Sequence, residues 1–294
     1  MNMPRRVAVI SKALGGSWIN TMNQLNGVQS VEVKLPENIV SIDDIATRRP
    51  ALIRRGLFDD VEVSINGVFE PSRAMNGLLK GIFKHTMSSV NDVGVRYSHK
   101  YTLYAPEDPV RVCQIYVENE GSTISIDQAV VKNIKISIEG TGIATYSLEA
   151  IGRYITDVPT TINTDTIRPL YRIEGLTQVS KATISINANH KPVYSINGES
   201  KTIGIGMYEL TLETESSNSS TFTNSRDNSR LDVVECSLTG DTLGAWHYGL
   251  WFKLKDAYAV TSLPVKAGDV ISYKTRYLGD LLVFEMHNNN PAAE

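Results

Sequence analysis

Apolar and polar residues alternate along much of this chain. Five runs show the alternation most clearly: residues 61–65, 124–126, 134–139, 182–187 and 208–213. Because successive side chains of a strand point to opposite faces, this period predicts half-exposed antiparallel strands. The dipeptides Asn66-Gly67 and Asn197-Gly198 follow such runs and predict tight turns between strands.

One segment has its apolar residues at spacings of three and four, which predicts a helix over about residues 72–87. Ser72 stands in position to cap this helix, although Gly77 and Gly81 each weaken it by about 1 kcal/mol relative to alanine. Residues 41–47 form a second, weaker helix prediction. The pattern therefore predicts a mainly β protein of half-exposed antiparallel strands with one helix.

The same pattern divides the chain into three parts. Residues 1–55 are predicted to be an N-terminal arm, residues 56–160 a β unit containing the helix, and residues 161–294 a second β half with a polar loop at 216–230. Residues 133–153 align with residues 260–280 at a constant shift of 127, as Tyr146 with Tyr273 and Gly152 with Gly279 illustrate. Chance and an internal duplication both explain this similarity, so the number of modules stays open.

Composition and charge exclude several classes of protein. The 294 residues are 41% hydrophobic and 21% charged with a net charge of −3, which is typical of a folded protein rather than a disordered one. The pI of about 6.0 argues against a protein that binds nucleic acid through bulk positive charge. The sequence has neither an apolar run long enough to cross a bilayer nor an N-terminal stretch typical of a secretory signal, so no membrane association is expected. Cys113 and Cys236 are predicted to be buried unpaired thiols, with a single disulfide as the alternative.

Motifs that carry chemistry are missing from the sequence. The five histidines are scattered without metal-ligand spacing, and there is no nucleophile elbow, P-loop or complete dinucleotide-binding glycine motif. We therefore predict no enzyme, no cofactor and no metal. The aromatic residues Trp246, Tyr248 and Trp251 are predicted to pack in a core or subunit interface, with a stacking platform for a sugar or base as the alternative.

The order of elements over residues 54–153 resembles the phage tail tube (major tail) protein family. The features that carry the resemblance are the alternating run at 61–65, the segment Gly67-Val68-Phe69-Glu70-Pro71, the helix MNGLLKGIF, the strand YSHKYTLYAP at 97–106, the later strands up to Gly152-Arg153 and, near the end of the chain, Leu263-Pro264-Val265. The resemblance implies a structural virion protein of the tail, assembled in the host cytoplasm. It also implies that each subunit is an antiparallel β-sandwich or half-barrel with one flanking helix. Hairpins from neighbouring subunits would then close one β-barrel around a lumen.

The resemblance implies partners as well. Copies of the chain would form rings that stack into a tube, and six chains per ring are favoured, with three two-module chains as the alternative. The tube would contact the tape measure, terminator and distal tail proteins, and double-stranded DNA would pass through it without tight binding. The alternative function is a carbohydrate-binding or adhesin-like β-sandwich that uses Trp246, Tyr248 and Trp251.

The resemblance also places the lumen. Strands at 122–139 and 141–152, with the similar segment at 260–280, are expected to line it. The candidate residues on these strands are Asp127, Lys132, Lys135, Glu139, Thr145 and Ser147. Lys132 and Lys135 are expected to be offset by acids such as Asp127 and Glu139, because unpaired cations would hold DNA phosphates.

Overall fold

The computed structural model describes most of the chain. The described residues are 6–34, 39–44, 49–55, 60–92, 94–119, 122–140, 142–166, 168–175, 179–194, 201–216, 230–243, 246–261, 264–267 and 270–289. The turn predicted at Asn197-Gly198 and most of the polar loop predicted at 216–230 lie outside them.

The described residues form strands and one helix, α1 (Arg73–Lys80). The strands are β1 (Arg6–Ala13), β2 (Thr21–Gln24), β3 (Val28–Lys34), β4 (Ile39–Asp44), β5 (Arg49–Arg55), β6 (Asp60–Val68), β7 (Lys84–Asp92), β8 (Gly94–Thr102), β9 (Arg111–Asn119), β10 (Ser122–Glu139), β11 (Thr145–Ile155), β12 (Thr161–Asn163), β13 (Leu170–Glu174), β14 (Val179–Asn187), β15 (Lys191–Tyr194), β16 (Lys201–Gly204), β17 (Glu209–Ser216), β18 (Arg230–Leu243), β19 (Trp246–Thr261), β20 (Val265–Ala267) and β21 (Val270–Asn288).

The chain is mainly β and curls as a half-barrel with a single flanking helix, which confirms the predicted fold class. Its main sheet runs in the order β3-β6-β11-β10-β14-β17-β21-β19-β18-β13 with antiparallel neighbours. The first half of β10 pairs instead with β9, and β1, β2 and β12 continue the sheet from there. The end of β21 pairs with β8, while β4–β5 and β15–β16 form separate hairpins.

The helix starts as predicted and ends early. Ser72 caps it, since its Oγ accepts a hydrogen bond from the Met75 backbone N at 3.2 Å. The prediction that it reaches residue 87 was wrong, because the chain turns at Gly81 and strand β7 begins at Lys84. A Cβ on Gly81 would lie 3.1 Å from both Cys113 Sγ and Val131 Cγ2, so a glycine lets this turn approach the sheet.

Two other local predictions were wrong. Residues 41–44 of the second predicted helix are not helical, since residues 39–44 form β4 and pair with β5, and residues 45–47 lie outside the described residues. Asn66-Gly67 lies inside β6 rather than in a turn, with Gly67 opposite Val28. Within the segment predicted to be an N-terminal arm, β1 pairs with β9 over its whole length and β3 pairs with β6.

The two cysteines are free and buried, as predicted. Burial raises the pKa of each thiol to about 12, so neither is reactive near neutral pH.

The two halves of the chain share one arrangement of strands. In the first repeat (residues 28–155) the spatial order is β3-β6-β11-β10-β9, and in the second repeat (residues 179–288) it is β14-β17-β21-β19-β18. Each repeat also inserts a two-stranded hairpin between its first two strands, β4–β5 in one and β15–β16 in the other. The repeats differ between their second and third strands along the chain, which are β6 and β9 in the first repeat and β17 and β18 in the second. Between β6 and β9 the first repeat holds α1 and the β7–β8 hairpin.

Irregularities in the pairing recur at matching places. In β10 the bulge contains Gln128, with a φ of +48°, and in β19 it contains Asp256, with a φ of +52°. Gly152 stands opposite the first bulge and Gly279 opposite the second. Because a bulge is a specific departure from regular pairing, its recurrence marks the two repeats as equivalent in structure.

Candidate functional site

The sheet that joins the two repeats has one apolar face and one polar face. Its core side carries buried apolar side chains, and one row of them on β6, β11, β10, β14 and β17 consists of Ile65, Leu148, Ile134, Ile186 and Leu210. One position along, the row on the other side is polar: Asn66, Ser147, Lys135, Ser185 and Thr211. We call this second side the polar face. It is formed by β6, β11, the later half of β10, β14, β17 and the part of β21 that pairs with β17.

The next row of the polar face has the same character. It consists of Thr145, Ser137, Thr183, Glu213 and Arg276. Hydrogen bonds connect neighbouring strands, since the Ser137 and Thr183 hydroxyls lie 3.1 Å apart and Asn133 Nδ2 donates to Glu149 Oε2 at 2.8 Å. Small hydroxyl and amide side chains therefore cover most of this surface.

Most of the positive charges on the polar face are paired across strands. Lys132 Nζ lies 3.1 Å from Glu62 Oε1, and Lys181 Nζ lies 3.0 Å from Glu139 Oε2. A hydrogen bond from Lys181 to Glu139 raises the pKa of this lysine. On β21, Arg276 Nε is 3.8 Å from a Glu213 carboxylate oxygen. The face therefore offers closely balanced rather than positive charge.

The structure brings five of the six predicted lumenal residues onto the polar face. These five are Lys132, Lys135, Glu139, Thr145 and Ser147. The prediction that Glu139 offsets Lys132 or Lys135 differs from the ion pairs observed. Lys132 pairs with Glu62, and Glu139 pairs with Lys181 of the neighbouring strand. The sequence already placed Glu62 at a polar position of an alternating run, but only the strand pairing puts it beside Lys132.

Asp127 is the exception, because it lies in a largely buried ion pair. Its Oδ1 is 2.6 Å from Lys12 Nζ, and the two side chains are 15% and 3% exposed. Gln114 Nε2 also donates to it at 3.3 Å. Asp127 therefore holds the start of β10 against β1 and β9, and it does not offset Lys132 or Lys135 as expected.

The three aromatic candidates do not share a surface. Tyr248 is 4% exposed on the core side of β19, and the 44% exposed Trp246 lies on the same side with the Arg96 guanidinium 4.0 Å from its ring. Trp251 points to the opposite side, where its ring centroid is 4.1 Å from that of His287. The alternation of β19 thus separates residues that would have to act together as a stacking platform.

A cleft beside the end of the helix contains no recognisable catalytic arrangement among its lining residues. It measures about 1040 Å³ and is lined by Lys84, His85, Tyr104, Arg111 and Tyr208, among others. Burial, together with nearby positive charge, lowers the pKa of His85 to about 3, so this imidazole is neutral near pH 7. Within the described ranges, no group of three or more His, Cys, Asp or Glu side chains is arranged to hold a metal ion.

Comparison with protein-family models and with curated proteins finds no match for this chain. Among the described residues, no helix has the length and apolar character needed to cross a membrane.

Proposed function

We propose that this chain is a structural subunit of a phage tail tube, which assembles into stacked rings around a channel for DNA. The observation that carries the proposal is the polar face, which runs without a break from the first repeat across the β10–β14 pairing into the second repeat. A curled sheet with a core on one side and this surface on the other suits the wall of a water-filled channel.

The charge pattern supports passage of DNA rather than binding. Each phosphate that a lysine or arginine neutralises adds salt-dependent affinity. On the polar face Lys132, Lys181 and Arg276 each have a carboxylate partner within 3.8 Å, so their charge is already compensated. A channel wall of this kind holds a polyanion weakly.

The two repeats also bear on the number of chains in a ring. If each repeat acts as one tube module, three chains supply the six modules that rings of six single-module subunits would contain. We therefore propose three chains per ring, located in the virion tail with other tail proteins at the ends of the tube and the tape measure protein inside it.

Electron microscopy of the purified protein tests the assembly directly. At high concentration, negative-stain images are expected to show rings and stacked tubes with a central channel. The ring mass divided by the chain mass of 32.4 kDa gives the number of chains. Images that show only monomers at high concentration, together with sedimentation at the monomer mass, would contradict the proposal.

Reversing charge on the polar face is expected to create DNA binding. The variant Glu149→Lys/Glu213→Lys places new cations among the paired ones, whereas Glu107→Lys with Glu174→Lys changes the net charge equally at other positions. For the first variant, affinity for a short duplex should appear and fall with salt, with a log–log slope of about −0.9 per new phosphate contact. Fluorescence anisotropy at several salt concentrations measures this. Equal binding by the two variants would show that the polar face is not a DNA-facing surface.

A further inference from the structure

One pairing inside the chain joins the two repeats edge to edge. The edge of β14 that faces away from β17 pairs with the last part of β10, from Asn133 opposite Asn187 to Glu139 opposite Lys181. The Lys181–Glu139 ion pair closes the end of this junction. The first strand of the second repeat therefore docks on the first repeat through backbone hydrogen bonds.

The strand β3 is the counterpart of β14 in the first repeat. Both strands begin with an extra residue at the same point of the pairing, Gln29 in β3 and Ser180 in β14. The counterparts of Ala182 and Ile184, which are 2% and 1% exposed, are Val31 and Val33, which are only half-buried. Within the described residues β3 pairs with β6 alone, so its outward edge lacks the neighbour that β14 has.

The opposite end of the chain offers the matching edge. The strand β19, continued by β20, is the counterpart of β10. On one side, β19 and β20 both pair with β21. Among the described residues, β18 borders the other side of β19 only up to Tyr258. The end of β19 and β20 thus correspond to the part of β10 where β14 docks. Pro264 lies between them and has no N–H, so pairing is expected on either side of it.

We propose that the outward edge of β3 pairs with the edge formed by the end of β19 and β20 in a second copy of this chain. The junction between copies then repeats the β14–β10 junction within each copy. It is a head-to-tail contact, which closes into a ring or continues as a filament. Open strand edges of this kind are templates for pairing with another chain. The inference rests on the internal repeat and is independent of the proposed tail function.

The internal junction also shows which backbone groups take part. The Gly140 N–H donates to Ser180 O at 2.6 Å and the Ala188 N–H donates to Lys132 O at 2.9 Å. Since hydrogen-bonded pairs alternate along an antiparallel ladder, Ala182 also points its N–H at β10. Its counterpart Val31 therefore points its N–H at the proposed partner and not at β6.

The variant Val31→Pro tests the junction without removing a hydrogen bond from β6, and Val31→Thr is the matched control that keeps the N–H. Val31→Pro is expected to weaken self-association about tenfold or more, while Val31→Thr associates like the parent chain. Analytical ultracentrifugation measures the association, and circular dichroism checks that both variants are folded. Unchanged association of a folded Val31→Pro variant would overturn the proposal.

Cross-linking provides a second test if Val31→Pro does not fold. The variants Glu32→Cys and Ala267→Cys are treated with a short bis-maleimide, to which the buried native thiols do not react. Neither variant should cross-link alone, their mixture should give dimers, and the double variant should give a ladder of multiples of 32.4 kDa. Met207→Cys, at an 86% exposed position, replaces Glu32→Cys in the control mixture.

Two outcomes would refute the head-to-tail pairing. One is cross-linking of the Glu32→Cys variant to itself, and the other is a yield of cross-linked dimer no higher than in the control mixture with Met207→Cys. A ladder from a protein that never forms tubes would instead support the junction and reject the proposed tail function, so the two proposals can fail separately.

Discussion

Replacing Asp127 with alanine is expected to lower the free energy of unfolding by about 3–5 kcal/mol. The carboxylate is the counter-ion of Lys12, whose side chain is 3% exposed and whose Nζ lies 2.6 Å from Asp127 Oδ1. The ammonium would keep only its bonds to the carbonyls of Gly16 at 2.6 Å and Ser17 at 3.3 Å. A buried charge would then remain without an opposite charge, which is among the most costly changes in a protein interior.

A second ion pair on the same strand provides the control. Lys132 and Glu62 are 32% and 55% exposed, so Glu62→Ala is expected to cost at most about 1 kcal/mol. Urea unfolding of both variants at one pH and one protein concentration measures the difference. The double variant Lys12→Met/Asp127→Leu should regain most of the stability, because it removes both buried charges. A loss for Asp127→Ala as small as that for Glu62→Ala would contradict the assignment.

The strands were predictable because their signal is local. Alternation at residues 134–139 and 182–187 needs only neighbouring positions, and both segments form strands with the apolar residues on the core side. The Ser72 cap is local as well. The end of the helix depends on distant residues instead. Ile82 and Phe83 continue the helical spacing of apolar residues, but they are buried within the turn that follows the helix, where Gly81 approaches the sheet.

Pairing between residues that are distant in the chain could not be predicted from the sequence. The partner of Asp127 is Lys12, and no pattern relates residues so far apart in the chain. The polar face was predictable strand by strand, but its continuity depends on β14 docking on β10. The prediction of a helix at 41–47 relied on a capping serine and two acids, and strand pairing with β5 overrides such weak preferences.

The internal repeat shows why a constant shift along a sequence can hide a structural relation. Gly152 and Gly279 differ by 127 positions, and this shift relates β11 to β21. The bulge residues Gln128 and Asp256 differ by 128, so β10 and β19 need another shift. The other strands of the repeats fit neither value, since hairpins, a helix and loops of different length separate them.

Substituting alanine for either Gly152 or Gly279 is expected to destabilise the protein by about 1–3 kcal/mol. A Cβ on Gly152 would lie 2.6 Å from Ile126 Cγ2 and 2.9 Å from Ala129 Cα. A Cβ on Gly279 would lie 2.7 Å from the Lys255 carbonyl oxygen and 3.0 Å from Ala257 Cα. In both places the glycine lies directly opposite a bulge of the neighbouring strand, so the backbone of that strand has to move to make room for one methyl group.

Gly204 provides the matched control, because it also lies in a strand but its Cβ would be 3.5 Å from the nearest atom, Val193 Cγ2. Gly204→Ala is expected to be neutral or to stabilise by up to about 1 kcal/mol, since it reduces the entropy of the unfolded chain. Thermal and urea unfolding of the three variants measure the effects. Similar losses for Gly152→Ala and Gly279→Ala would mean that the two bulges are packed alike. A loss at only one of them would mean that the repeats, although alike in strand order, no longer share this contact.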